Sequence, residues 1–161
     1  MLLEKATKNF GKIKMDLYDY NLNYRDIRLE GPEYINDEKQ SISEANTLVV
    51  TAVIDLYNSK ERFTTIKDLN LILKHNKRDY VFEDPEITVN GIPMQKYRNK
   101  ELLNIISLKP KEVQRIAVKG NIKIDKFENG LNEADILKIY LLYNNEKSKR
   151  KTKFLFKSKL V

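Results

Sequence analysis

The sequence predicts an all-β protein built as an antiparallel β-sandwich, and three observations carry that reading. Apolar residues recur with a period of two rather than 3.6. From Leu48 the even positions read Leu48, Val50, Ala52, Ile54 and Leu56, all apolar, while the odd ones read Val49, Thr51, Val53, Asp55 and Tyr57. That is the pattern of a strand with one face in a core, and its β-branched residues favour a pleated surface. Polar turns then recur at the short, regular spacing of sandwiches and barrels. Finally, no segment reads as the crossover helix that a parallel sheet requires.

The elements follow in order. Ile13, Met15 and Leu17 alternate with Lys14, Asp16 and Tyr18, and residues 22 to 29 add a short second strand. Residues 30 to 46 form a long acidic loop that contains Gly31-Pro32 and Glu30, Glu33, Asp37, Glu38 and Glu44 against Lys39. It is longer than most connections in compact domains, so it is either solvated chain or a functional loop. The strand from Leu48 to Leu56 ends at the turn residues Asn58-Ser59-Lys60. Leu69, Leu71 and Leu73 mark the next strand, and Tyr80-Val81-Phe82 a short one. Glu83-Asp84-Pro85-Glu86 reads as a solvated turn; its three acids lack the spacing and the glycine of a calcium loop. Ile87 and Val89 lead into Asn90-Gly91, a hairpin turn pair. Leu102, Leu103 and Ile106 share a helical face, but the flanking Gly91-Ile92-Pro93 and Pro110 favour a strand ending at Ser107. Val113, Ile116 and Val118 close at Lys119-Gly120, and Ile122 and Ile124 follow. The chain ends in a hairpin. An apolar run from Ile136 to Tyr143 is joined by a polar tip, Asn144 to Lys151, to a strand that carries Phe154, Phe156, Ser158 and Leu160 on one face.

The whole is read as a single domain, residues 1–161, with N-terminal strands over 1–29, the acidic loop over 30–46 and the sandwich over 47–161. The 161 residues and 19.0 kDa suit one self-sufficient core. Cysteine is absent, which excludes disulfides, a thiol nucleophile and thiolate metal ligands. His75 is the one histidine, read as an exposed loop residue without a partner acid or nucleophile. The five glycines are too scattered for a phosphate cradle. No cofactor is expected. Charge interrupts residues 1 to 8 before a signal peptide could form, and no apolar run approaches a membrane span. The expected location is cytoplasmic, with the soluble part of a membrane-anchored protein as the alternative. Lysine, asparagine and isoleucine number 23, 16 and 16. All three have AT-rich codons, which points to a low-GC bacterium or its phage.

The net charge of +7 is concentrated at one end. After residue 145 the chain holds seven basic residues against Glu146 alone, so the rest of the molecule is almost neutral. The candidate partner-binding residues are therefore Lys147, Lys149, Arg150, Lys151 and Lys153. A basic β-ribbon can meet an acidic protein, a phosphate backbone or an anionic membrane. It can equally be a solvated turn whose lysines discourage edge pairing. Phe154 and Phe156 are read as core-facing, which leaves no aromatic surface for stacking bases and places a protein partner ahead of nucleic acid. Tyr18, Tyr20, Tyr24 and Tyr34 are read as strand-face tyrosines with their hydroxyls in water rather than as a recognition surface.

Three segments carry a resemblance. Residues 48 to 73 read as apolar strand, Asn-Ser turn, Thr-Ile, apolar strand. Ser107-Leu108-Lys109-Pro110-Lys111-Glu112-Val113 reads as a proline turn before a middle strand, and residues 136 to 160 as a closing hairpin. Together, over roughly residues 46 to 161, they resemble the immunoglobulin-like β-sandwich modules of uncharacterised bacterial and phage proteins. The cysteines and tryptophan of true immunoglobulin domains are missing. The resemblance implies an antiparallel immunoglobulin-like β-sandwich, and a non-enzymatic binding module, with a phage or mobile element as a candidate source. A protein–protein role leads, and nucleic-acid binding through the basic C-terminal hairpin is the alternative.

Overall fold

The computed structural model describes residues 11–25, 45–94, 105–132 and 135–159. Among the described residues there are ten strands: β1 (Ile13–Arg25), β2 (Thr47–Asn58), β3 (Thr64–His75), β4 (Arg78–Val81), β5 (Glu83–Val89), β6 (Ile92–Pro93), β7 (Ile105–Leu108), β8 (Val113–Lys123), β9 (Ile136–Asn144) and β10 (Arg150–Lys159). Apart from one 3-10 turn at Ile124–Lys126, the described elements are all strands. They form two antiparallel sheets, ordered β1-β2-β8-β5-β6 and β10-β9-β3-β4, with β7 paired to β3. The expected all-β sandwich is the observed architecture.

The alternation of β2 explains its central place. Leu48, Val50, Ala52, Ile54 and Leu56 are fully buried, and β2 pairs with β1 on one side and β8 on the other. Across the core stand Leu69, Leu71 and Leu73 of β3 and Leu137, Ile139 and Leu141 of β9. The chain crosses between sheets at Phe82. Its N–H donates to the Leu71 carbonyl in one sheet, and its buried ring lies against Gly120 in the other. A Cβ at Gly120 would stand 2.7 Å from that of Phe82, so close packing demands glycine there. Asn58 pins one end of the sandwich. It is fully buried, and its Nδ2 donates to the carbonyls of Arg62, Leu108 and Lys109 at 2.8, 3.2 and 3.0 Å, which satisfies the amide.

Several expectations need correction. Over the described residues the two N-terminal strands are one strand, β1, with a bulge between Leu17 and Asp19, and it is the edge of the first sheet; residues 26–29 lie outside the described residues. Glu83 to Glu86 lie inside β5, where a register shift against β8 accommodates them, so they are not a turn. The strand read after Ile122 stops at Lys123. His75 is 6% exposed, because β3 runs on past Leu73 and the inward parity of Leu69, Leu71 and Leu73 reaches it. The turn beyond it is Asn76-Lys77, both with positive φ. The acidic loop lies outside the described residues except for Ala45 and Asn46, as does the Leu102 to Asn104 half of the strand read up to Ser107; its described half is β7.

Candidate interaction surface

The basic hairpin forms as expected, but its tip is shorter. β9 extends to Asn144 and β10 begins at Arg150. Within the tip, Asn145 Oδ1 accepts from the N–H groups of Lys147 (3.0 Å) and Lys149 (2.9 Å), and the Asn145 N–H donates to the Lys149 carbonyl. These local bonds hold the turn and leave Ser148 at a positive φ of 57°.

Glu146 does not join the exposed charges. Its carboxylate turns back onto the β2–β3 loop, where it accepts from Arg62 (3.0 and 2.7 Å), Lys60 (3.0 Å) and the Thr64 hydroxyl (3.1 Å). The Arg62 guanidinium, then Lys60 and Thr64, hold its pKa down at about 2 against an opposing effect of burial. The only acid of the C-terminal segment is thereby withdrawn, and Lys147, Lys149, Arg150, Lys151 and Lys153 stay exposed.

They do not form one stripe. Lys147 and Lys149 flank the tip. Lys151 and Lys153 stand opposite Tyr143 and Leu141, on the core-facing side of the edge strand β10. Arg150 has the opposite parity and belongs to the outer face. An extra residue, Leu155, interrupts the β9–β10 register between Phe154 and Phe156. Leu155 and Phe156 are buried, whereas Phe154 is 47% exposed and meets the Tyr140 ring edge-on at 5.3 Å. The expectation that both phenylalanines face the core is thus corrected: Phe154 is on the outer face.

The tyrosines divide too, with Tyr34 outside the described residues. Tyr18, in the β1 bulge, is exposed beneath the Arg115 guanidinium, which lies 3.4 Å from its ring centre and pairs with Asp55 through two hydrogen bonds. Tyr20 stacks on Phe156 at 4.0 Å, tying the edges β1 and β10 together. Tyr24 is buried. Burial, then the charge of Asp135, push its hydroxyl up to about 12. Asp135 Oδ2 lies 3.2 Å from His75 Nε2 and accepts the Asn132 N–H. Beside His75 is a cavity of about 70 Å³ bordered by Arg78, Tyr80 and Phe127.

The profile of the YopI Ig-like domain matches residues 11–156. The chain belongs to that family. This YopI Ig-like domain therefore includes β1, which the sequence resemblance left outside the sandwich. No curated protein matches it significantly. Among solved structures, it is similar to the ApaA protein from Bordetella pertussis, at 8% identity and a TM-score of 0.42 over 94% of each chain. It is also similar to an uncharacterised β-sandwich protein from Clostridium difficile 630, at 10% identity and a TM-score of 0.39, covering 90% of this chain and 86% of that one. A third is AggA, the major subunit of aggregative adherence fimbriae type I from Escherichia coli, at 11% identity and a TM-score of 0.35, covering 92% and 96%.

Sequence reading of this YopI Ig-like domain found the hairpin charges but missed Phe154, Tyr140 and the tether of Glu146. The run Phe154-Leu155-Phe156 was the available signal for the first, since three consecutive apolar residues break a period of two. Nothing local could have revealed a carboxylate bonded to residues 84 and 86 positions away.

Proposed function

We propose that the chain is a non-catalytic binding module that engages a protein partner through the β9–β10 hairpin. The observation that supports this reading most directly is the fate of Glu146. With that carboxylate bound to Lys60, Arg62 and Thr64, the hairpin is anchored to the body and its cations have no acid of their own segment beside them. An anchored hairpin loses little loop freedom on binding, and its exposed cations suit an acidic surface. Nucleic acid is the second reading, since the same cations suit a phosphate backbone.

Salt-dependent fluorescence anisotropy with a labelled random duplex and a single-stranded RNA separates the two. No binding tighter than about 10 μM is expected at about 50 mM salt, where sequence-independent phosphate contact is strongest. Salt-steep binding that weakens with each change among Lys147→Glu, Lys149→Glu and Lys151→Glu would overturn the protein reading.

A further inference from the structure

The outer face of the second sheet carries a feature separate from the hairpin tip. The register places Phe154 opposite Tyr140, Tyr140 opposite Ile72, and Ile72 opposite Val81. Four strands thus contribute one apolar row on the side turned away from the core. Phe154 and Val81 at its ends are 47% and 45% exposed. Ile72, and Leu142 on the neighbouring row, are shielded although neither belongs to the inter-sheet core.

Two residues along β9, β3 and β4, and three along the bulged β10, lies a basic row: Lys157 opposite Lys138, and Lys138 opposite Lys74, with Asp79 at its end. Arg150, Lys159 and Lys67 add to the same face by parity. Among the described residues, two acids stand against these six cations: Asp79, 3.9 Å from Lys74, and Asp68 in the bulge, whose carboxylate also accepts from the Asn144 amide. The outer face of the first sheet is built otherwise. Asp55 pairs with Arg115, and Lys119 stands opposite Glu86. Among the described residues, the outer face of the second sheet thus presents an apolar row beside an excess of positive charge.

Apolar surface rimmed by charge marks interaction sites, and aromatic residues are enriched at such sites. Charge selects the occupant. The Lys74 ammonium sits 4.8 Å over one face of the Tyr140 ring, and the Phe154 ring meets Tyr140 at 70°, so the two rings form no parallel platform on which successive bases could stack. We propose that this face docks a segment of the protein partner that carries carboxylates beside apolar side chains. Rows two residues apart on a strand are separated by about 7 Å. A segment with an apolar and an acidic side chain alternating at that spacing would set the first against the exposed Phe154 beside Tyr140, or against Val81 at the other end of the row, and the second on the lysines. The inference rests on the protein-partner reading and adds a second surface to it.

The test is a titration of the isotope-labelled protein, followed by backbone amide NMR, with a short peptide that repeats Leu-Ser-Glu-Ser. In an extended chain this places leucine and glutamate alternately on one face at the required spacing. Shifts are expected around Ile72, Val81, Lys138, Tyr140 and Phe154. They should weaken roughly tenfold or more in affinity for Phe154→Ser and for Lys138→Glu. Both residues are solvent-facing, so folding is checked by the unchanged dispersion of the remaining amides. Lys149→Glu, at the tip, should leave the peptide shifts intact. Equal binding of a Leu-Ser-Lys-Ser peptide, or no shifts on this face, would overturn the inference while leaving the hairpin reading standing. Oligouridylate shifting the same amides more strongly than the peptide would overturn both.

Discussion

Glu146 shows how one side chain decides the character of a charged segment. Counted along the chain, it is the single acid among seven bases; in space it belongs to Lys60 and Arg62 of the β2–β3 loop. Its pKa, about 2 against an ordinary 4.5, ties this tether to pH. A depressed carboxylate stabilises the fold above its unfolded pKa, and that contribution is lost as pH falls through the folded one. Glu146→Gln should therefore cost about 1 kcal/mol near neutral pH, the discounted value of a partly exposed ion pair. In urea titrations the gap between parent and variant should be complete above pH ~4.5 and close as pH falls towards 2. A gap that stays constant over that range would show that the carboxylate is not held as described.

Bulges dominate at the scale of elements. β3 begins with Thr64 and Ile66 inward and ends with Leu69, Leu71, Leu73 and His75 inward; the change of parity falls at Asp68, whose φ is 52°. The β3–β9 register shifts at the same place, between Lys67 and Asn70. Asp68 suits the position because a short polar side chain tolerates the left-handed region, and its Oδ2 accepts from Asn144 Nδ2 at 2.7 Å. Asp68→Asn should stay within about 0.5 kcal/mol of the parent, and Asp68→Val should lose about 2 kcal/mol, since a β-branched residue at positive φ is strained. Equal losses in chemical denaturation would show that conformation is not the constraint. The same bulges explain what the sequence could and could not reveal. The strands without irregularity, β2 above all, were legible from alternation alone, and Asn90-Gly91 announced its turn. Where one extra residue enters, as at Asp68 or Leu155, the period of two resets. Faces assigned by extrapolation then come out reversed, as happened with Phe154. His75 failed for another reason. The parity of Leu69, Leu71 and Leu73 extends to His75, but a polar residue followed by Asn76, Lys77 and Arg78 reads as loop.

For the whole molecule, the two sheets bury one apolar layer but present unlike outer faces. One is knitted by pairs such as Asp55 with Arg115. The other sets Phe154, Tyr140, Ile72 and Val81 beside Lys157, Lys138 and Lys74. Everything assigned to the second face depends on the register of β9 and β10, because a slip of one residue would exchange inner and outer side chains. The chain has no cysteine, so single cysteines placed along these strands report their own accessibility without background. The direct measurement is the rate at which a thiol reagent modifies the native protein carrying Lys138→Cys, Ile139→Cys, Phe154→Cys or Leu155→Cys, one at a time. Fast labelling is expected at 138 and 154, and at 139 and 155 labelling only as slow as global opening allows. Protection at 154 with fast labelling at 155 would contradict the register, and with it the outer face and the partner chemistry assigned to it.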